Sequence, residues 1–101
     1  MTTSRQKAVG SACERMVANL LGGVRVGQDG GPVDVLLGQY AALQVKNLAT
    51  LPSLNAVRAM LEAMPEDGRM RGVVVVERAG RGRRGLRTIT FDLDDWAAWH
   101  A

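Results

Sequence analysis

Pro32-Val33-Asp34-Val35-Leu36-Leu37-Gly38-Gln39-Tyr40-Ala41-Ala42-Leu43-Gln44-Val45-Lys46 is the stretch that decides the fold. It reads as two strands, residues 33–37 and 40–46, with a hairpin marked by Gly38-Gln39. Asp34 interrupts the first strand where an interior position should be apolar. In the second, Gln44 and Lys46 alternate with Leu43 and Val45, so the two polar side chains share one face while their neighbours face the core. The length of the connection then matters. A two-residue turn sets Asp34 opposite Leu43, on the wrong face; a three-residue connection, Gly38-Gln39-Tyr40, or a bulge sets it opposite Gln44. We expect the odd connection, or strands that diverge at this point.

Working outward, a Ser4 or Thr cap opens a helix running to about Leu21, with Val9, Ala12, Cys13, Met16, Val17 and Leu20 at the three-and-four spacing of a buried face. Gly22 and Gly23 supply its left-handed stop. A short strand at 24–26 and a turn-forming run, Gly27-Gln28-Asp29-Gly30-Gly31-Pro32, lead into the hairpin. Beyond it, residues 52–64 fit a second helix with Pro52 in the first turn and Leu54, Val57, Leu61 and Met64 on one side. Gly72-Val73-Val74-Val75-Val76 has the β-branched character of a strand buried on both faces. Residues 86–91 form another strand, and Asp92 can cap a last short helix holding Trp96 and Trp99, the alternative being an ordered tail; the tryptophan spacing fits core or dimer packing. The order α-β-β-β-α-β-β-α predicts an α/β fold, a mixed central sheet flanked by helices, in one domain over residues 1–101.

Composition agrees. At 101 residues, 47% hydrophobic and 23% charged, the chain is too small for a separate cofactor domain and too apolar for intrinsic disorder. No run approaches the roughly 18 apolar residues of a membrane span. Glu14, Arg15 and Asn19 break any secretory apolar stretch, and a lone Cys13 forms no internal disulfide. A soluble, cytoplasmic domain is expected. The net charge is +3, but its distribution says more. Arg78, Arg81, Arg83, Arg84 and Arg87 crowd one glycine-rich stretch without an acidic residue, which leaves eight basic against ten acidic residues elsewhere. Such a loop reads either as solvated surface or, more specifically, as a phosphate contact, because guanidinium forks bind phosphate oxygens in pairs.

Asp34 and Gln44 offer the oxygen ligands that Mg²⁺ prefers, and Lys46 would place a cation beside a scissile phosphate. Glu14, one helical turn after Gly10, could reach such a metal directly or through water. His100 is the only histidine and lies at the chain end, which argues against a catalytic histidine or a zinc site. Cys13 reads as a small buried side chain rather than a nucleophile.

Asp, about ten residues, then (Glu or Gln)-x-Lys on the next strand, after a helix bearing Glu, resembles the PD-(D/E)xK nuclease superfamily. Here the pattern is Pro32-Val33-Asp34 and Gln44-Val45-Lys46, preceded by Gly10-Ser11-Ala12-Cys13-Glu14-Arg15. Within it the chain is most similar to the small Holliday junction resolvases of archaea and phages, over roughly residues 8–78. The resemblance implies a restriction-endonuclease-like core. It assigns metal ligation (Mg²⁺ or Mn²⁺) to Asp34, Gln44 and the backbone carbonyl of Val45. Lys46 would orient the attacking water, and Glu14 would support the metal or its water. It further implies phosphodiester hydrolysis to a 5′-phosphate and a 3′-hydroxyl by a homodimer on branched DNA, contacted through Gly30, Gly31 and the five arginines. Gln44 stands where the family usually has Glu and brings no charge. A catalytically inactive nucleic-acid-binding module on the same fold is the alternative.

Overall fold

The computed structural model describes residues 4–26, 31–78, 80, 82 and 84–100, the first four of these through their backbone alone. Its elements are α1 (Ser4–Leu21), β1 (Val24–Arg25), β2 (Val35–Leu37), β3 (Ala41–Leu48), α2 (Leu54–Ala63), β4 (Met70–Glu77), β5 (Arg87–Phe91) and α3 (Leu93–His100). The strands form one mixed sheet in the order β1-β2-β3-β4-β5. β3 and β4 are parallel, with α2 as the crossover between them, and every other pairing is antiparallel. Element order and fold class are those expected from the sequence. Among the described residues no helix is long and apolar enough to cross a membrane.

The centre of the sheet is covered on both sides, which is why β4 reads as an unbroken apolar run. On one face Val17 and Ala18 of α1 pack against Val35, Leu37, Ala41, Leu43, Val45, Met70 and Val74. On the other, Met60, Leu61 and Met64 close over Val73 and Val75. Gly72 belongs to this packing. A Cβ there would stand 2.8 Å from Leu43 Cδ2 and 2.6 Å from the Phe91 ring, so only glycine lets both side chains close over β4.

Several boundaries differ from the sequence reading, each for a local reason. α1 buries a narrower stripe, Cys13, Met16, Val17 and Ala18, while Val9, Ala12 and Leu20 are exposed. The helix is rotated so that positions 14, 17 and 18 share its inner side, and Glu14 therefore turns toward the sheet. Gly22, at φ +68°, ends α1, and the Gly23 N–H donates to the Ala18 carbonyl at 2.8 Å. α2 begins after Ser53, whose hydroxyl accepts from the Ala56 N–H at 3.1 Å, so Pro52 lies outside the helix. Leu54, expected in the core, is 89% exposed because it sits on the first turn, beyond the strands that α2 covers. β2 starts at Val35 rather than Val33, and β3 and β4 run longer than expected because their parallel ladder continues to Leu48 and Glu77. Asp92 does cap α3, its Oδ1 accepting from the Asp94 and Asp95 N–H groups at 2.9 and 3.2 Å.

Leu43 and Leu54 make a test of this core. Leu43→Ala should cost about 2–5 kcal/mol in urea denaturation, since the site is closed on all sides. Leu54→Ala should stay within about 0.5 kcal/mol of the parent.

Candidate active site

The hairpin connection is the odd one. Gly38 (φ +52°), Gln39 and Tyr40 make the turn, and the pairs are Leu37 with Ala41, Leu36 with Ala42 and Val35 with Leu43. Continued by one residue, that register sets Asp34 level with Gln44. Pairing stops before it gets there. β2 has ended, and the Asp34 main chain is held instead by two bonds of 2.8 Å, its N–H donating to the Leu43 carbonyl and its carbonyl accepting from the Val26 N–H. Val45, two residues past the last β2 pair, has no β2 residue opposite, and its N–H donates to Asp34 Oδ2 at 2.8 Å. The strands therefore part at the site, and a carboxylate fills the place of the missing ladder bond. In a strand the N–H and C=O of one residue point the same way, so the Val45 carbonyl faces the same gap.

Gln44 and Lys46 lie on the face opposite to Leu43 and Val45, as alternation requires. Among the described residues, Gln44 Oε1 is buried without a hydrogen-bond donor. An acceptor left in that state costs about 1–3 kcal/mol, and it is the type of oxygen a hard cation takes. Asp34 is half-buried and its pKa is raised above the ordinary carboxylate value. Burial is the main cause, opposed by the Val45 N–H; Glu14 pushes the same way as burial, while Lys46 and Arg25 oppose it. Glu14, Lys46 and Arg25 are thus each within electrostatic reach of Asp34.

Glu14 arrives with a partner the sequence did not disclose. Arg25 Nε donates to Glu14 Oε1 at 3.3 Å, and Arg25 Nη2 donates to the Ser11 hydroxyl at 3.0 Å. The register explains it: Arg25 pairs with Val35, so the two share the face that α1 covers. Alternation in Val24-Arg25-Val26 was the available signal, but a polar middle residue normally reads as the solvent side. Asn47 was missed as well. It donates from Nδ2 to the Val76 carbonyl at 3.2 Å and hydrogen-bonds the Cys13 thiol, whose pKa burial nonetheless raises. A thiol held protonated in this way is no nucleophile.

Asp34, Gln44 and Glu14 carry side-chain oxygens of the type a Mg²⁺-like cation takes, but Gln44 lies on the face of β3 opposite to α1, the helix that carries Glu14. The charge is lean. Among the described residues no three His, Cys, Asp or Glu side chains form a metal-ligand cluster.

Arg78, Arg84 and Arg87 stand at one end of the sheet. Arg78 follows β4, its N–H donating to the Leu48 carbonyl at 2.9 Å, and Arg87 opens β5 opposite Val76. Arg78, Arg84 and Arg87 are exposed; Arg81, Arg83 and Gly30 lie outside the described residues, and Gly31 is exposed. Lys46 pairs with Val75, so β3 runs past Gln44 and Lys46 toward this same end. Three strand spacings, about 14 Å, separate the line of β2 from that of β5. Against known proteins, the chain matches no family model, no curated protein and no solved structure.

The raised Asp34 pKa has a sign that can be measured. A carboxyl that holds its proton more tightly when folded loses stability as pH rises from its unfolded value through its folded one. Asp34→Asn escapes that loss. In EDTA the variant should gain stability over the parent as pH rises through this interval, keep the gain at neutral pH, and show none in stronger acid. Urea denaturation at stepped pH reads it, and an Asn variant no more stable than the parent at neutral pH contradicts the assignment.

Proposed function

We propose that this chain is a metal-dependent, structure-specific DNA endonuclease on a restriction-endonuclease-like core, cutting four-way junctions as a homodimer. The observation that carries the reading is the gap between β2 and β3. The odd connection brings Asp34 level with Gln44, opens the ladder, and leaves the Gln44 carbonyl buried and unpartnered beside Lys46.

Asp34, Gln44 Oε1 and the Val45 carbonyl would hold Mg²⁺ or Mn²⁺, with Glu14 holding the metal or a water next to it. When bound, the cation supplies positive charge for a phosphodiester and acidifies water. The chain's own groups do the rest. Lys46 offers an ammonium that orients the attacking water and offsets charge growing on the phosphate oxygens. The Val45 N–H fixes the Asp34 carboxylate through Oδ2. Arg25 pins Glu14 through one carboxylate oxygen and leaves the second available. Attack in line with the leaving 3′-oxygen gives a 5′-phosphate and a 3′-hydroxyl. Arg78, Arg84 and Arg87, at the same end of the sheet, suit the backbone of a DNA arm crossing it.

A second reading, a nucleic-acid-binding module without catalysis, draws support from the neutral Gln44 and from the ion pair that occupies Glu14. The two part over one residue. Labelled four-way junction, linear duplex and single strand, each with Mg²⁺, Mn²⁺ or EDTA, should give paired symmetric cuts in the junction alone. Asp34→Asn should abolish them while leaving junction binding intact, and Lys46→Ala should slow them by about 10²–10³-fold. Absence of metal-dependent nicking on every substrate selects the module. Replacing Arg83 and Arg84 by Ala should lower the salt slope of binding by about 0.9 for each phosphate no longer neutralised. An unchanged slope removes the arginine turn from the interface.

A further inference from the structure

The two edges of the sheet differ. β1 is two residues long, too short to template another strand. β5 has five residues, Arg87-Thr88-Ile89-Thr90-Phe91, with no proline and charge only at its first position. The Leu86 carbonyl accepts from the Glu77 N–H at 2.8 Å, so Leu86, Thr88 and Thr90 turn their main-chain groups inward to β4. Strand geometry then turns the N–H and C=O of Arg87, Ile89 and Phe91 outward, along an edge that no other strand covers among the described residues.

We propose that β5 pairs antiparallel with β5 of a second copy of this chain, about a two-fold axis at Ile89. The segment is self-complementary in that register. Ile89, 46% exposed, meets the partner's Ile89 and exchanges both main-chain bonds with it. Thr88 meets the partner's Thr90, a favourable β-branched cross-strand pair, and Arg87 meets the partner's Phe91, a guanidinium beside an aromatic ring.

Charge beyond the strand points the same way. The turn before β5 is basic, with exposed Arg84 and Arg87, and the start of α3 is acidic, with Asp92, Asp94 and Asp95. Within one chain these groups stand at opposite ends of β5, and among the described residues none of them forms an ion pair. The two-fold rotation sets the acidic end of each copy beside the partner's Arg84 and the partner's Arg87. It also carries Leu93, 76% exposed, toward the partner's Leu86. Because the β1 edge is so short, pairing closes at two copies instead of growing into a filament. This dimer supplies the second copy that the nuclease reading calls for, but it rests on strand geometry and charge alone, so cleavage assays judge that reading separately.

Size-exclusion chromatography with light scattering on the full chain should return the mass of two chains. Ile89→Lys, which sets two like charges opposite each other on the axis, should return the mass of one chain with an unchanged circular dichroism spectrum. A second measurement keeps the test independent of that variant's folding. In a Cys13→Ser background, Thr88→Cys and Thr90→Cys chains are prepared separately and then mixed. The paired residues stand about 4.5 Å apart between Cα atoms, within disulfide range, so a covalent dimer should form in the mixture and in neither sample alone. A single-chain mass for the parent overturns the proposal. So does a dimer that Ile89→Lys leaves intact, or a mixture that does not cross-link.

Discussion

Side chains alternate along a strand, so the number of residues in one hairpin decides which groups meet across it. Here three residues, Gly38, Gln39 and Tyr40, join β2 to β3. That count sends Val35, Leu37, Ala41, Leu43 and Val45 together under α1 and leaves Asp34 level with Gln44. One residue more or fewer would split the core set between the two faces and expose half of it. The apolar demand and the polar cluster are therefore met by the same register. Burial of the β-hairpin under α1 holds it there, and the positive φ of Gly38 makes the turn reachable.

Departure from regular pairing begins where the polar residues do. A sheet that stayed closed past Val35 would satisfy the Val45 N–H with a carbonyl; this one uses a carboxylate. The substitution is unfavourable for stability in two ways. Asp34 is desolvated next to Glu14, and Gln44 Oε1 is buried without a donor. Two such costs stand at one point in a sheet otherwise packed with valine and leucine, where every local preference but these agrees with the fold. Arg25 moderates the repulsion by neutralising Glu14, which explains why a two-residue strand such as β1 carries its charge inward.

The helices cover the sheet unevenly, and that asymmetry shapes the surface. α1 lies over β1, β2 and β3, while α2 packs on β4 from the other side. β5 is consequently the least covered strand. Its Phe91 is shielded by Trp96, stacked at 5.8 Å, and Trp99 in turn stacks on Tyr40 at 5.6 Å. α3 thus docks through rings rather than through a buried stripe. The aromatic pair at Trp96 and Trp99 serves packing within the chain, one of the roles its spacing allowed.

Periodicity, caps, glycine stops and β-branched runs gave the elements and their order, because all of these are local properties of the chain. Alternation also singled out Asp34, Gln44 and Lys46, with Glu14 at the edge of the α1 stripe, and the odd hairpin is expected because an even one sets Asp34 opposite Leu43 instead of Gln44. Other features lay outside its reach. Val9, Leu20 and Leu54 have the spacing of core residues yet are exposed, since how far a helix overlaps the sheet depends on where the sheet ends. The rotation of α1 that turns Glu14 inward, and the Glu14–Arg25 pair across 11 positions, were fixed by packing between distant segments. The parting of β2 from β3 and the stranded Gln44 carbonyl are likewise tertiary. A sequence states which side chains want burial; only the assembled layers decide which of them obtain it, and which polar atoms are enclosed without a partner.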